Sequence, residues 1–567
     1  MLDGRRRISQ VFRGVLVLEA VLSLIVGIAA PSAAHLRPGR TEVVTVVDAS
    51  ADRACRQNVS NPLGKSSLSR NARYVAFDSE RCDLVTEDSN PFSDIFVRDR
   101  RDGRTKLVSI SSFGIQGMHP PDLMAGSFRP SISANGRYVA FDSDATNLVA
   151  GDTNGARDVF VHDLRTGTTQ RVSLDSAGNQ AGSLVTLADS SDPSISADGR
   201  FVAFESHASN LVLGDTNRAL DIFVHDRRTG STKRVSVASD GSQADEASPL
   251  TGFPPQPRST CASISGNGRF VAFRSWAEDL VADDTNVVWD IFVHDRKSAE
   301  TERVSVASDG SQVQGHPGQY TCDHDSLSSR GRYIVFASGA ADLVPNDGAG
   351  DAIDAALPGD IFVHDRKTGR TERVSVTSAG EEVPEGSSHA TISASGRVVA
   401  FMSWSNELTP GDGGGSQLGG DFDAYVHDRR MGYTEMVSVS SGGKEAGSCG
   451  DLFATDEGES HPAAISSDGS FVSFRSCADN LDLDGGHKAM WDEFLRDRGP
   501  ALSVGQVVAS GRARSISLKG SPRFARTGTT WIRDPVTDAV GSKLNNAGEL
   551  LGARLTYRPL LDDVYVV

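Results

Sequence analysis

The sequence predicts an all-β fold: a seven-bladed β-propeller of four-stranded antiparallel blades, with an N-terminal strand closing the last blade and a short C-terminal β segment. The first observation is repetition. A phrase close to S-I-S-x-[DN]-G-R-[YF]-V-A-F, then D-I-F-V-H-D-R, then T-x-R-V-S-V, recurs seven times between Ser66 and Arg498, with its turn residue at Ala72, Gly136, Gly199, Gly268, Gly331, Gly396 and Gly469. The second is strand chemistry: each copy is rich in Val, Ile, Phe and Tyr and shows no helical period. A single four-stranded sheet cannot bury both faces, whereas radial repetition packs each face on a neighbour and leaves only short edges.

Within a copy, the PSIS ending at Ser133 and the RYVAF of Arg137 to Phe141 are joined by Ala134, Asn135 and Gly136, a turn whose glycine can adopt positive φ. DVFVH and TQRVS flank a second turn, L-R-T-G-T, and make the outer hairpin. The repeat period of 63 to 73 residues exceeds the usual blade length, which places the surplus in loops. The motif S-x-[DN]-G-R-x-[VI]-A-F-x-S followed by [DE]-[IV]-[FY]-V-x-D resembles the TolB-like, WD-like propeller repeat over roughly three quarters of the chain. That resemblance implies the fold; such repeats serve many functions, so it leaves activity open.

Closure follows from the copies at the ends. After Asp497 the seventh copy meets Gly499 and Pro500 where T-x-R-V-S is expected, while Gly39 to Val46 (GRTEVVTV) matches the fourth-strand stretch GRTERVSV at Gly369 to Val376. The first strand of the mature chain is therefore expected to complete the last blade.

Residues 1–34 read as a secretory signal: Arg5, Arg6 and Arg7 precede an apolar run that ends in Pro31, Ser32, Ala33 and Ala34. Residues 35–500 are expected to form the propeller, and 501–567 a β-rich extension, either a truncated sandwich or a segment that packs on the propeller. No other stretch approaches the apolar length of a spanning helix, so no membrane insertion is expected after signal removal. The net charge of -17 argues against nucleic acid and anionic lipid. The chain is thus expected to be secreted or in the cell envelope, periplasmic or extracellular.

Six cysteines in an exported chain invite pairing. Cys55 to Cys82 and Cys449 to Cys477 span 27 and 28 residues, which favours those pairs and leaves Cys261 with Cys322, among the 15 pairings that six cysteines allow. Free buried thiols are the alternative. All six fall on the face that carries the long loops. Variable loops on a rigid scaffold are where binding usually resides, so the functional surface is assigned there.

Three features of that face could carry chemistry. Acidic loops place Asp152, Asn154 and Asp158, and again Asp215, Asn217 and Asp221, at a spacing compatible with calcium, although an EF-hand would need further ligands and turn capping by Asp and Asn is the favoured reading. At the channel mouth, four residues before the repeat serine, stand Lys65, Arg129, Asp192, Cys261, His324 and His389, with His461 one place further back. Converging histidines suit a transition metal, and a mixed polar rim is the favoured alternative. Trp276 and Trp404 follow their VAF strands, and Trp289 and Trp491 precede the third-strand Asp; exposed, they would stack on sugar rings or anchor a peptide, while packing against loops is the more ordinary role. The histidines of VHD, such as His162, read as hydrogen-bonded structural residues.

No G-x-S-x-G elbow, H-E-x-x-H or phosphate-binding glycine loop is present, so no catalytic residues are assigned and no cofactor is expected, calcium apart. The expected function is an exported, non-catalytic binding or scaffolding module for a protein or carbohydrate ligand. An extracellular carbohydrate-active enzyme with a site on the propeller axis is the alternative.

Overall fold

A computed structural model describes residues 39–46, 65–119, 125–182, 188–244 except 218, 259–313 except 287, 327–345, 359–383, 386–409, 422–447, 460–481 except 479, 491–499 and short strand segments between 507 and 564; the side chains of 460–463 and of everything beyond 499 are not described. The signal segment, Cys55, Cys322, His324 and Cys449 lie outside these residues. The described secondary structure is strand and turn, without helix.

Seven antiparallel sheets follow one another along the chain. They are numbered here as blades 1 to 7 by their second strands: Tyr74–Ser79, Tyr138–Ser143, Phe201–Ser206, Phe270–Ser275, Tyr333–Ser338, Val398–Ser403 and Phe471–Ser476. Blade 2 is representative, running Ser127–Ile132, Tyr138–Ser143, Asp158–Asp163 and Thr168–Arg171. In blade 5 the described part of the first strand is the single bridge Leu327 to Ile334. Blade 7 closes as the sequence predicts: Arg40–Val43 pairs antiparallel with Asp492–Asp497, Arg40 opposite Asp497 and Val43 opposite Phe494. Beyond the ring, Val507–Val508 pairs with Asp563–Val564, and Trp531–Arg533, Val540–Leu544 and Leu550–Leu551 form a small sheet.

The motif residues explain one another. In V-A-F the Val and Phe of one blade face the preceding blade and the Ala faces the next, so Val202 and Phe204 pack with Ala140, Val159 and Val161, while Ala203 packs with Val271 and Phe273. Each interface therefore meshes large side chains against small ones. The Arg of G-R grips the Asp of H-D through two parallel bonds, as in Arg200 to Asp226 at 2.8 and 2.5 Å, and the pairing holds that carboxyl far below the usual range. The glycine is required twice over: Gly199 sits at φ +76°, and a Cβ there would lie 2.1 Å from the Tyr138 ring of the preceding blade.

Blades are also tied together around the axis. At the tight-turn end, main-chain bonds run from Arg70 N to Ala134 O, Ala134 N to Ala197 O, Ala197 N to Gly266 O, Ser329 N to Ala394 O, Ala394 N to Ser467 O and Ser467 N to Arg70 O, all between 2.9 and 3.2 Å. The VHD histidine adds a tie further out. Thr169 Oγ1 donates to Ile110 O of the preceding blade at 2.5 Å, so the 2.9 Å contact with His162 must be donated by the imidazole from Nδ1. The same arrangement recurs at His225, His294, His364 and His427, and burial pushes His162 down to about 4. These are structural hydrogen-bonded residues, as the sequence indicates.

Blades 1 and 7, which meet at the closure, replace that histidine with Arg98 and Arg496. Arg496 Nη1 donates to Gly39 O at 2.6 Å and Thr41 Oγ1 at 3.0 Å in the N-terminal strand, and to Ser440 O at 3.2 Å in blade 6. Arg496→Ala is therefore expected to cost about 2–3 kcal/mol, the range for losing charged hydrogen bonds at a buried site. Urea unfolding measures this, and His225→Ala, at an ordinary boundary, serves for comparison. An unchanged midpoint in Arg496→Ala would contradict this account of the closure.

Candidate ligand-binding face

The tight turns share one end of the ring, and the loops joining second to third strands, with the segments between blades, share the other. The first strand of blades 2, 3, 4 and 6 slips register near this second end, between Phe128 and Ser131, Ser191 and Ser194, Thr260 and Ser263, and Ser388 and Thr391. In each bulge one residue adopts a left-handed backbone: Arg129, Asp192, Cys261 and His389, at φ between 50° and 62°. Such a backbone costs a non-glycine residue of order 1 kcal/mol. These are four of the residues that counting back from the repeat serine places at the channel mouth.

The bulges bring charges from successive blades together. Lys65 of blade 1 reaches Asp192 of blade 3 at 3.1 Å, and Arg129 of blade 2 lies 3.2 Å from Asp142 and 3.9 Å from Asp192. Around them stands a set that the sequence reading missed, the residue after V-A-F in each second strand: Asp78, Asp142, Glu205, Arg274, Ala337, Met402 and Arg475. Alternation points this residue toward the bulge of the next blade. Glu205 accordingly accepts from Cys261 N at 3.4 Å and from Ser191 Oγ at 3.0 Å. Glu493, on the third strand opposite Arg475, accepts from Ser66 Oγ at 2.5 Å. Burial, with Asp192 adding to it, pushes Glu205 up to about 7; burial pushes Glu493 up to about 7 and Asp142 to about 6. The surrounding carboxylates, Asp142 first, hold the Arg129 guanidinium firmly charged.

Of the mouth histidines, His389 Nδ1 lies 3.0 Å from Ser388 Oγ. His461 is paired opposite Arg475 through its backbone, its side chain being undescribed. Among the described residues no three His, Cys, Asp or Glu side chains are grouped to hold a metal.

The acidic loops enclose a positive charge of the chain's own. Arg171 Nη1 lies 3.1 Å from Asp152 and 3.0 Å from Asp158, and Arg234 Nη1 lies 3.2 Å from Asp215 and 3.3 Å from Asp221. In blade 1, Gln116 Nε2 bridges Asp88 and Asp94 at 2.7 Å each. The asparagines act in turns: Asn154 Oδ1 accepts from Ala156 N at 3.3 Å and Asn217 Oδ1 from Ala219 N at 3.2 Å, while Asn217 Nδ2 donates across to Ala244 O at 3.0 Å.

The tryptophans divide. Trp276 and Trp289, both half-buried, form a tilted pair with centroids 5.4 Å apart, and the Arg274 guanidinium stacks 4.3 Å over Trp289. Trp404, also half-buried, pairs with Phe422 at 4.5 Å. Trp491 takes the packing role rather than that of an exposed ligand contact: it is 6% exposed and packs with Cys477.

No protein-family model matches the chain, and no curated protein is detectably similar to it. Similar solved structures include TolB from Acinetobacter baumannii (11% identity, TM-score 0.32, covering 82% of this chain and 97% of that one) and an oligogalacturonate lyase from Vibrio parahaemolyticus (11%, TM-score 0.43, covering 81% and 97%). The β-propeller domain of the trilobed protease from Pyrococcus furiosus is also similar (11%, TM-score 0.42, covering 78% and 96%). At these values the architecture stands on the strand pairing and register described above.

The buried carboxylates make stability depend on pH. Because Glu205 binds its proton more tightly folded than unfolded, its contribution is fully present below about pH 4.5 and is lost as pH rises through about 7. The melting temperature of Glu205→Gln is therefore expected to gain on that of the unaltered protein between pH 5 and pH 8. Parallel melting curves across that range would refute the assignment.

Proposed function

We propose that this chain is an exported, non-catalytic propeller that binds a protein or carbohydrate ligand at its long-loop face. The observation that carries the reading is the meeting of Lys65, Arg129 and Asp192 from three consecutive blades at the channel mouth, with Arg129 and Asp192 held in left-handed backbone. Glycine would relieve that strain, so the cost is borne for side chains that project there. The tight-turn face, by contrast, spends its inner main-chain groups on the ring of bonds between blades. Among the described residues no helix is long and apolar enough to cross a membrane. The setting proposed is the envelope or the cell exterior.

The carbohydrate-active alternative draws on Glu205, whose proton is held near neutrality as general acid chemistry requires. Both of its oxygens, however, are engaged by Ser191 and Cys261, which favours binding over turnover. Immobilised protein challenged with a polysaccharide panel and a periplasmic extract separates the readings. Retention without product is expected, weakened about tenfold, ~1.4 kcal/mol, in Lys65→Ala/Arg129→Ala. Short-turn changes at Thr166 and Thr168 are expected to leave it intact. Product release would support the enzyme; loss of retention in the turn variants alone would assign function to the other face.

Export also bears on the cysteines. None of the described ones, Cys82, Cys261 and Cys477, is a free thiol, and we assign them to Cys55, Cys322 and Cys449 respectively. Non-reducing peptide mapping is expected to recover these three pairs. Removing any one should cost about 2–4 kcal/mol, since each closes a long loop. Recovery of six free thiols would refute the pairing and weaken the case for export.

A further inference from the structure

The net charge of -17 is not spread evenly over the chain. The tight turns comprise residues 69–73, 99–105, 133–137, 163–169, 196–200, 226–232, 265–269, 295–301, 328–332, 365–371, 393–397, 428–434, 466–470 and 497–499, and they hold 22 Lys and Arg against 11 Asp and Glu. The tight-turn end of the ring is therefore basic on an acidic molecule. A total of -17 argues against an anionic partner only where the charge is uniform.

Twelve of those cations work within the ring. In six blades the Arg of G-R holds the third-strand Asp. In six, the Arg that follows this Asp donates through Nη1 to the carbonyl of the inner turn residue, as in Arg100 to Ala72 O at 2.8 Å. The residue after that is different. Arg101, Arg165, Arg228, Lys297, Lys367 and Arg430 are exposed, and among the described residues none has a side-chain hydrogen bond or ion pair.

One turn shape sets all six in place. Each of their amides donates to Oδ1 of the Asp two residues before, at 2.9 to 3.1 Å. The residue four after that Asp, Gly103 in blade 1, then donates to the Asp carbonyl at 2.8 Å in every one of the six turns, from left-handed backbone. Blade 4 keeps this shape with Ala299 at φ 62°, where other blades use glycine. The Asp meets the first residue of the fourth strand in each ladder, Asp99 opposite Arg104 and Asp428 opposite Tyr433. The six cations accordingly stand at one level around the ring. In blade 7 the position is Gly499.

We propose that the tight-turn face docks on a surface of anionic phospholipid headgroups and turns the long-loop face away from the membrane. A planar leaflet meets every cation of a level ring at once, and each Lys or Arg near such a surface adds to the attraction. A duplex nucleic acid is a rod and meets only those along one line across the ring. A protein partner would be expected to seat an apolar centre, yet the exposed large hydrophobics among the described residues, Val46, Phe113, Ile115, Met118 and Leu213, all lie outside these turns. The contact is therefore electrostatic and peripheral. The acidic remainder of the molecule, repelled by the same surface, fixes the orientation. Export, proposed above, brings the chain to such a leaflet; the identity of the ligand at the other face plays no part.

Co-sedimentation with vesicles of phosphatidylglycerol and phosphatidylcholine, against vesicles of phosphatidylcholine alone, tests the proposal on the full chain. Binding is expected to the anionic vesicles only, and to be lost at about 1 M salt, where the screening length falls to about 3 Å. Arg165→Gln/Arg228→Gln/Lys297→Gln should weaken it about a hundredfold, roughly fivefold for each cation, with the melting temperature unchanged. Arg165→Lys/Arg228→Lys, which keeps the charge, and Lys65→Ala/Arg129→Ala, at the opposite end, should both bind as the unaltered protein does. Should the triple variant not fold, Arg228→Gln alone is expected to show its fivefold loss. Absence of binding to anionic vesicles at low salt overturns the proposal, as does undiminished binding in the triple variant. Capture of duplex DNA without vesicle binding overturns it in favour of another polyanion. Either failure leaves the retention experiment at the long-loop face to be decided by its own outcome.

Discussion

The structure depends on the ring of main-chain hydrogen bonds at the tight-turn end of the channel. At six of the seven blade junctions the amide of one inner-turn residue is given to a carbonyl of the next blade, and the series returns from Ser467 to Arg70, on the two sides of the closure. Buried amides require partners, and at these six junctions the partner is another blade. That fixes how near the inner strands approach the axis and how each blade is rotated against its neighbour. At the other end the loops are long, and among the described residues no comparable ring of main-chain bonds joins the blades.

Charge at the mouth follows the same logic. A left-handed bulge takes a residue out of the ladder and leaves amides to satisfy. Ile132, Ile195 and Ile264 N donate to serines 67, 131 and 194 of the preceding blades at 3.0 to 3.1 Å, and Cys261 N finds Glu205. Some carboxylates beneath the mouth are thus structural acceptors that also set the electrostatics of the opening. Five acids, Asp78, Asp142, Asp192, Glu205 and Glu493, lie near four cations, Lys65, Arg129, Arg274 and Arg475. Desolvation leaves some of the acids protonated near neutrality and so limits the accumulated charge.

The fold was legible because the motif residues bond within one copy or to its neighbour: the Arg of G-R to the Asp of H-D, the Gly against the preceding aromatic. A repeated phrase then reports a repeated geometry, and the displaced fourth strand at Gly39 betrays the closure. The mouth was half legible. Arg129, Asp192 and His389 came from counting back along the first strand, but Asp142 and Glu205 were hidden inside V-A-F-x-S; comparing that one position across copies shows acids in blades 1 to 3 and arginine in blades 4 and 7. The acidic loops misdirect attention for a similar reason. Their Asp152 and Asp158 are compatible with a bound cation, and the arginine that lies between them comes from T-x-R in the fourth strand. Trp491 looked equivalent to Trp289, yet it is buried with Cys477, which no single-copy pattern reveals.

The closing strand has a further consequence for how the molecule is made. Arg40–Val43 leaves the ribosome before any blade, yet its partner Asp492–Asp497 comes more than four hundred residues later. Blades 1 to 6 are built from contacts between near sequence neighbours and can assemble as they emerge. The seventh must wait for both ends, and the loop it closes is nearly the whole ring. Until then the outer edge of blade 7 stays unpaired, as open to a second chain as to its own strand. Arg496, aimed at Gly39 and Thr41 where blades 2 to 6 carry histidine, gives the correct strand an advantage at that edge.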